Sequence, residues 1–438
     1  MNNYFKQIWY ELRHQRMVTI TSILGTAFAI FCVMAVFMVS SLKSVPVAPE
    51  TCRPNLLVGK FIHIDKSSGQ SGSGGMSYNT ASKFYKDLDG IDIISYCGSW
   101  NQFMDATVKD GDGISVLCKN VDDNFWNIFD FKFIAGKPFD KAAVDSDLKE
   151  IIIQKSIATQ LFGTTDVVGQ QISLNYLPYI VRGVVDDTSP LMTESFANVY
   201  TPYNPGKDQT WLDGYGGNTM VYLLMSPGTK SEDIKSQVKG RYATLAEILK
   251  KEDATLIYHE APYTTEENSP DISSNESPHT EADRRYRYAS YLLLLILPAI
   301  NLSSMTRSRL RQRVSEIGVR RAYGATKISI LGRLLGENLL LTLAGGLIGL
   351  VLCVIFLLLF SNVFIYSGGA LGNVADTTSA PTLNMLLNLK SFVLALLFCL
   401  LLNLLSTGIP AWKAARINPA EAISGKNDRL PKSDYRNE

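Results

Sequence analysis

Residues 307–333 have the sequence RSRLRQRVSEIGVRRAYGATKISILGR, and a long uncharged segment lies on each side of them. Their only acidic residue is Glu316, and their eight basic residues are Arg307, Arg309, Arg311, Arg313, Arg320, Arg321, Lys327 and Arg333. Because arginine and lysine beside membrane spans are retained on the inner side, this pattern predicts a cytoplasmic segment between two transmembrane helices. Gly318 and Gly324 interrupt its helix-forming residues, which favours a short helix along the membrane that docks a soluble partner.

Four segments carry no charge: 17–42, 288–306, 338–375 and 391–412. A hydrocarbon core of about 30 Å requires roughly 20 helical residues, so the pattern predicts a membrane protein. The third segment is long enough for two crossings, but these would place the basic tail with Lys413, Arg416 and Lys426 outside, against the charge rule. We therefore predict four transmembrane α-helices, at 17–42, 288–306, 334–360 and 391–412.

The remaining segments follow from this topology. Residues 1–16 carry Phe5, Ile8, Trp9 and Leu12 at helical spacing, which predicts a cytoplasmic amphipathic helix. The first span resembles an uncleaved anchor, because its apolar run exceeds that of a cleaved signal peptide. Residues 43–287 are then extracytoplasmic, 307–333 form the cytoplasmic coupling segment, 361–390 form a short outer loop and 413–438 form a cytoplasmic tail.

The insertion between helices 1 and 2 is predicted to be a large α+β extracytoplasmic domain with two subdomains. Short β-branched runs at 56–58, 151–153 and 179–181 predict strands, and 156–162 and 231–251 predict helices. The Gly/Ser-rich stretch 67–75 predicts a flexible loop. Residues 109–113 (KDGDG) favour a hairpin turn over a calcium loop, since the closing glutamate is missing.

Composition and motifs exclude several classes of function. There are 42 basic and 41 acidic residues, so net charge gives no reason to expect nucleic acid as a partner. Without an HExxH or CxxC pattern, or a recognisable nucleophile constellation, we expect neither a metal site nor an enzyme. One disulfide could form among Cys52, Cys97 and Cys118, and the sequence leaves the pairing open.

The order of one span, a large outer domain and three further spans resembles the MacB/FtsX-like ABC transporter permeases, also called type VII ABC transporters. Residues 124–139 (NFWNIFDFKFIAGKPF), 151–174 (IIIQKSIATQLFGTTDVVGQQISL) and 179–186 (YIVRGVVD) are similar to the MacB-type periplasmic core domain. Residues 313–325 (RVSEIGVRRAYGA) resemble the family's coupling signature, and 410–423 (PAWKAARINPAEAI) its closing motif. Residues 193–240 and 253–282 match no pattern that we recognise.

The resemblance implies which residues carry the function. The implied ATPase-coupling residues are Arg313, Glu316, Ile317, Gly318, Val319, Arg320, Arg321, Gly324 and Ala325. The closing motif supplies Pro410, Trp412, Ala415, Arg416 and Pro419. Glu337 would be a carboxylate at the inner end of helix 3, and Gly345, Gly346 and Gly349 could let a neighbouring helix approach closely. Simple flexibility remains open for the glycines, and topology or anionic headgroup binding for the arginines.

The resemblance also implies a mechanism. The 438 residues contain no GxxxxGK[ST] motif, so ATP and Mg would be bound by a separate cytoplasmic ABC ATP-binding subunit, and no cofactor by this chain. ATP hydrolysis would move the outer domain (mechanotransmission) to export or extract a peptide, drug-like molecule or lipoprotein. The alternative is an FtsX-like regulator that activates a cell-wall hydrolase.

The expected location is the bacterial inner membrane, with both termini cytoplasmic and the large domain periplasmic. Expected partners are a second permease copy, as a homodimer or a paralogous heterodimer, and further candidates are a periplasmic adaptor and an outer-membrane channel.

Overall fold

The computed structural model describes residues 46–268, except positions 70, 109, 110, 112, 147 and 191, and residues 322–366. Elsewhere it describes residues 20, 23–25, 27, 28, 31, 32, 274, 285, 286, 288, 289, 292, 293, 317, 319, 320, 393, 397, 400, 401, 404, 408 and 412. The predicted segments 1–16 and 413–438 lie outside these residues, as do most of 17–42, 288–306, 361–390 and 391–412. The chain divides into two compact units, one of 42–281 with 360–385 and one of the remaining residues.

We call residues 46–268 the outer domain. Its described residues form fourteen short strands and five helices. The strands are β1 (Leu56–Gly59), β2 (Ile62–Lys66), β3 (Ser71–Gly74), β4 (Ile91–Gly98), β5 (Gln102–Thr107), β6 (Ile114–Val121), β7 (Phe133–Gly136), β8 (Glu150–Gln154), β9 (Gln171–Leu174), β10 (Leu177–Val185), β11 (Val199–Pro202), β12 (Thr219–Met225), β13 (Ala254–Ile257) and β14 (Tyr263–Thr264). The helices are α1 (Tyr78–Tyr85), α2 (Phe125–Ile128), α3 (Lys141–Asp145), α4 (Lys155–Phe162) and α5 (Ser231–Lys250), with 3₁₀ turns at Arg53–Asn55 and Pro205–Lys207. The α+β prediction and its named strands and helices are confirmed.

Eleven strands form the main sheet, in the order β11-β8-β10-β9-β5-β6-β4-β12-β1-β14, with β7 beside β10. Strand β11 pairs with β8 on one side and with β6 on the other, so six strands close into a ring. Apolar side chains such as Ile151, Val181 and Val199 are fully buried and pack together in one cluster. These β-branched residues suit paired strands whose side chains are buried.

Helices α1 and α5 cover a second core, formed with β1 and β12. Helix α5 buries Ile234, Val238, Tyr242, Leu245 and Leu249, whose spacing of three and four residues puts them on one face. Tyr242 packs in parallel on the ring of Phe84 from α1, with centroids 3.7 Å apart. This stacking joins the two helices.

A separate three-stranded sheet contradicts one sequence prediction. Residues 67–75 were expected to form a flexible loop, but Ser71–Gly74 is strand β3 and pairs with β2, which also pairs with β13. The glycines allow this because a Cβ at Gly72 or Gly74 would lie 2.9 Å from the indole of Trp211. The Gly/Ser composition therefore serves close packing here.

Two smaller expectations concern turns and cysteines. Residues 109–113 lie between the paired strands β5 and β6, as a hairpin connection requires, with positions 109, 110 and 112 outside the described residues. The thiols of Cys52, Cys97 and Cys118 are all free, so none of the disulfides left open by the sequence is formed. Cys97 and Cys118 are buried in the outer domain and act as small apolar packing residues.

Helix α6 extends over 40 residues, Lys327–Tyr366, and residues 327–359 of it belong to the other unit. It begins inside the predicted coupling segment and continues beyond the predicted end of helix 3 at Phe360, because Ser361 and Asn362 do not interrupt it. Counted over the described residues alone, no helix is both long and apolar enough to cross a membrane.

Candidate functional site

The coupling segment contains a hydrogen-bonded turn immediately before α6. Ile317, Val319 and Arg320 are helical, and this helical stretch ends where the amide of Tyr323 donates to the carbonyl of Val319 at 3.1 Å. Gly324 follows with a φ of +88°, and the amide of Ala325 donates to the carbonyl of Arg320 at 3.1 Å. This six-residue closure around a left-handed glycine is a Schellman motif. It gives Gly324 a backbone role in ending the helix.

The next helix starts within three residues. Thr326 caps α6, because the amide of Ser329 lies 3.3 Å from its Oγ1 and the amide of Ile330 lies 3.2 Å from its carbonyl oxygen. A threonine in this position satisfies amides that the first helical turn leaves without partners. We call residues 317–330 the coupling turn.

The side chains of the coupling turn separate into a buried and an exposed set. Ile317 and Ile330 are each only 6 % exposed, whereas Val319 is 44 %, Tyr323 89 % and Ile328 82 % exposed. The three exposed residues lie within ten residues of sequence, and exposed apolar side chains that group into a patch mark interaction surfaces. Of the two apolar contacts proposed from the sequence, Val319 faces outwards and Ile317 packs inwards.

Tyr323 and Ile328 are absent from the residues selected by sequence. The coupling signature drew attention to charge and to glycine, and neither property describes these two residues. The signal that could have identified Tyr323 is an aromatic residue directly before a glycine that ends a helix, a position from which the side chain projects freely.

Some of the other predicted site residues are described by the structure, and the rest lie outside the described residues. Gly345, Gly346 and Gly349 lie on a buried side of α6, and Glu337 lies in the same helix. Arg320 is partly exposed and Trp412 is exposed. Outside the described residues are Arg313, Glu316, Gly318, Arg321, Pro410, Ala415, Arg416 and Pro419.

The outer domain contains an open cleft of about 270 Å³ between β6, β10, β11 and the segment 202–208. Its walls are polar: Lys149 and Lys207 line it, and Tyr203 donates its hydroxyl proton to Asp208. Burial raises the pKa of Asp208, which is one of the residues lining the cleft. Sites for drug-sized ligands are usually ~300–1,000 Å³ and lined by apolar groups, so this cleft lacks their character.

Two protein-family models together match most of the chain. Residues 19–241 match the model of the MacB-like periplasmic core domain, and residues 288–419 match that of the FtsX-like permease C-terminal domain. The macrolide export ATP-binding/permease protein MacB of Shewanella sp. (strain W3-18-1) is 24 % identical over 96 % of this chain, which covers 60 % of that protein. The uncharacterized ABC transporter permease YknZ of Bacillus subtilis (strain 168) is 24 % identical, with 77 % of each chain covered.

Two solved structures also align with slightly less than half of this chain. The extracellular domain of the noncanonic ABC-type transporter YknZ from Gram-positive bacteria aligns over 45 % of this chain and all of its own, with 17 % identity and a TM-score of 0.33. A domain of a putative permease protein from Porphyromonas gingivalis aligns over 47 % of this chain and 88 % of its own, with 14 % identity and a TM-score of 0.36.

The two family models match in the order that the sequence suggested, the second one spanning the coupling turn and α6. The chain therefore belongs to the MacB/FtsX-like permeases of ABC transporters.

Proposed function

We propose that this chain is the permease subunit of an ABC transporter and couples ATP hydrolysis by a separate cytoplasmic ATPase to movement of its outer domain. The substrate is exported or extracted on the outer side of a bacterial inner membrane and is a peptide, a drug-like molecule or a lipoprotein. Both termini and the coupling turn are cytoplasmic in this proposal, and the outer domain is periplasmic.

The observation that carries this proposal is the exposed apolar surface of the coupling turn. Tyr323 lies at the end of the first helical stretch and Ile328 in the first turn of α6, on either side of residues 324–326, and both side chains are more than four-fifths exposed. A short helical element with apolar anchors fits a groove on a partner protein, and tyrosine is frequent among residues that dominate binding energy. The basic residues around the turn would add charge contacts with the ATPase.

We propose the ATPase as a separate chain because YknZ of Bacillus subtilis, for which 77 % of each chain is covered, is named an ABC transporter permease, and these 438 residues contain no phosphate-binding GxxxxGK[ST] motif. That partner would bind ATP and Mg, and this chain would bind neither. A second permease copy is expected because closed two-fold assemblies are the commonest oligomers. We favour export over activation of a cell-wall hydrolase because the outer domain matches the MacB-like type. Capture of a periplasmic adaptor or outer-membrane channel would support export, and capture of a hydrolase would support activation.

The test compares full-length variants for co-purification with the cognate ABC ATPase and for stimulation of its activity. Tyr323→Ser and Ile328→Ser should each weaken ATPase binding by about tenfold or more, as expected for loss of an anchor side chain. Tyr176→Ser is the matched control, because Tyr176 is 95 % exposed on the outer domain. Wild-type binding by both coupling-turn variants would contradict the proposal.

A further inference from the structure

Five charged or amide side chains are buried together where the chain enters and leaves the outer domain. They are each more than nine-tenths buried, and we call them the root cluster: Glu50, Arg53, Lys119, Glu194 and Asn268. Burying an ionised group is costly, and well-packed apolar residues in its place are often as stable or more so. Stability alone therefore gives no reason for this composition.

Glu50 connects the entering chain to the loop between β10 and β11. Its Oε1 accepts hydrogen bonds from the amides of Glu194 and Ser195, at 2.9 and 2.8 Å, and from the Ser195 hydroxyl at 2.8 Å. Its Oε2 lies 2.5 Å from Nε of Arg53. Both oxygens of one carboxylate are thus engaged, and they fix the start of the domain to Glu194.

Glu194 connects the same loop to the departing chain. Its Oε1 accepts a hydrogen bond from Nδ2 of Asn268 at 2.8 Å. Its main-chain oxygen accepts from Nζ of Lys119 at 2.5 Å and from the hydroxyl of Tyr222 at 2.9 Å, which hold it to β6 and β12. Glu194 therefore touches the entry, the exit and the centre of the main sheet.

The entering and departing chains also run side by side. Strand β1 pairs with β14, with Leu57 opposite Thr264 and Val58 opposite Tyr263. The hydroxyl of Thr265 donates to the carbonyl of Arg53 at 3.3 Å. The two connections between this domain and the rest of the chain are thus joined at one place, beside Glu194.

The electrostatics of Glu194 are consistent with a tight connection to Asn268. Burial raises the pKa of the Glu194 carboxyl, and the nearby Glu50 raises it further. Among the described residues, Oδ1 of Asn268 is buried without a hydrogen-bond partner. A proton on Glu194 would give that atom a donor, so the acid and the amide could form two hydrogen bonds in place of one.

We propose that Glu194 is a positioning residue for force transmission, which fastens the entry and exit of the outer domain to one loop so that both connections move the domain as one body. This rests on the proposed function, in which movement begins at the ATPase. With Glu194 in place, displacement of either connection moves β6 and β12 directly. Without the Asn268 bond, the chain that follows β14 and Thr265 could shift while the sheet stays in place.

The experiment measures amide hydrogen exchange in the full chain bound to its cognate ATPase in nanodiscs, with and without ATP plus vanadate. In the wild type we expect an ATP-dependent difference both in the coupling turn and in the β10–β11 loop. Asn268→Leu should keep the ATP-dependent difference in the coupling turn and lose the one in the β10–β11 loop. Glu194→Gln, which retains a carbonyl acceptor for Asn268, should keep both.

The measured quantity separates positioning from stability. A merely structural loss raises exchange in both nucleotide states and leaves their difference unchanged. The inference would be overturned if the β10–β11 loop of Asn268→Leu showed the same ATP-dependent difference as the wild type. Asn268→Ser breaks the same contact with a small polar side chain and replaces the leucine variant if that does not fold. Failure of the wild type to bind the ATPase would refute the proposed function as well, and is seen before any variant is compared.

Discussion

Nδ1 of His63 lies 2.9 Å from Nε2 of His259, although the two residues are far apart in the sequence. The ring centroids are 5.2 Å apart and the planes differ by 12°, so the rings are nearly parallel and one hydrogen bond joins the two nitrogens. Nε2 of His63 also lies 3.2 Å from Oδ1 of Asp65. A proton on that nitrogen leaves Nδ1 to accept from His259.

This pair predicts a loss of stability in mild acid. Burial, with His63 as a second cause, lowers the pKa of His259, so the folded state resists its protonation. Above the unfolded pKa of about 6.5, His259 is neutral in both states and has no effect. As the pH falls below that value, the unfolded chain takes up a proton that the folded chain does not, and stability decreases until the pH is below the folded pKa.

The measurement is the thermal unfolding midpoint of the full chain in detergent between pH 7.5 and 5. Between pH 7.5 and 5, the unfolding midpoint of His259→Gln should fall by less than that of the wild type. Parallel curves would show that the histidine pair does not contribute to the acid sensitivity.

The pair also shows where inference from sequence ends. The sequence does not place the four histidines near one another, because a sequence pattern reveals neighbours only along one element. His63 and His259 meet since β2 pairs with β13, with His63 opposite Ile257, and that register depends on the whole domain. The strands at 56–58, 151–153 and 179–181 were predictable, since each is a local run of β-branched or large apolar residues.

Gly324→Ala should weaken the coupling turn. Gly324 has a φ of +88° and no heavy atom within 4 Å of an added Cβ, so the penalty is backbone strain of about 1–2 kcal/mol. We expect reduced ATPase stimulation, because the exposed Tyr323 would change direction. Gly332→Ala is the control, since it adds the same methyl group inside α6, again with open space around it, where alanine favours helix. Equal stimulation by both variants would refute a role for the turn geometry.

Gly136→Ala should disrupt the pairing of β7 with β10. Gly136 has a φ of +72°, and an added Cβ would lie 2.1 Å from the carbonyl oxygen of Arg182, a backbone atom that cannot move alone. Gly163→Ala is a close control, because its φ is also +72° but its surroundings are open. Gly163→Ala should lower the free energy of unfolding by about 1–2 kcal/mol through backbone strain alone, and Gly136→Ala should lower it clearly more. Unfolding midpoints of the two full-length variants provide the comparison, and similar values would contradict the steric argument.

The coupling turn was partly predictable for the same local reason. A glycine among basic, helix-forming residues indicated the helix end at Gly324, and the neighbouring Thr326 is a typical cap. The inward direction of Ile317 was not predictable, because helical spacing does not tell which neighbouring element a face meets. The root cluster was missed for a different reason: Glu50, Glu194 and Asn268 come from three distant segments, and single charged residues in a long sequence usually lie at the surface.

Glu50→Gln should destabilise the outer domain strongly. It removes the charge that faces Arg53 at 2.5 Å, and breaking a buried ion pair from one side costs about 3–5 kcal/mol. For a domain of this size, the unfolding midpoint of the full chain should fall by on the order of 10 °C. Asp186→Asn is the control, because its partner Lys132 is 3.4 Å away and both side chains are largely exposed, where such pairs contribute about 0–1 kcal/mol.

The double variant Glu50→Gln with Arg53→Met tests whether the loss comes from the abandoned charge. Methionine fills the apolar part of the arginine site without a charge, so the double variant should be more stable than Glu50→Gln alone. If the double variant instead has the same midpoint as Glu50→Gln alone, Glu50 stabilises the domain through its hydrogen bonds to Glu194 and Ser195 rather than through Arg53. The root cluster would then depend on the carboxylate as an acceptor, and Arg53 would be dispensable for the connection between entry and exit.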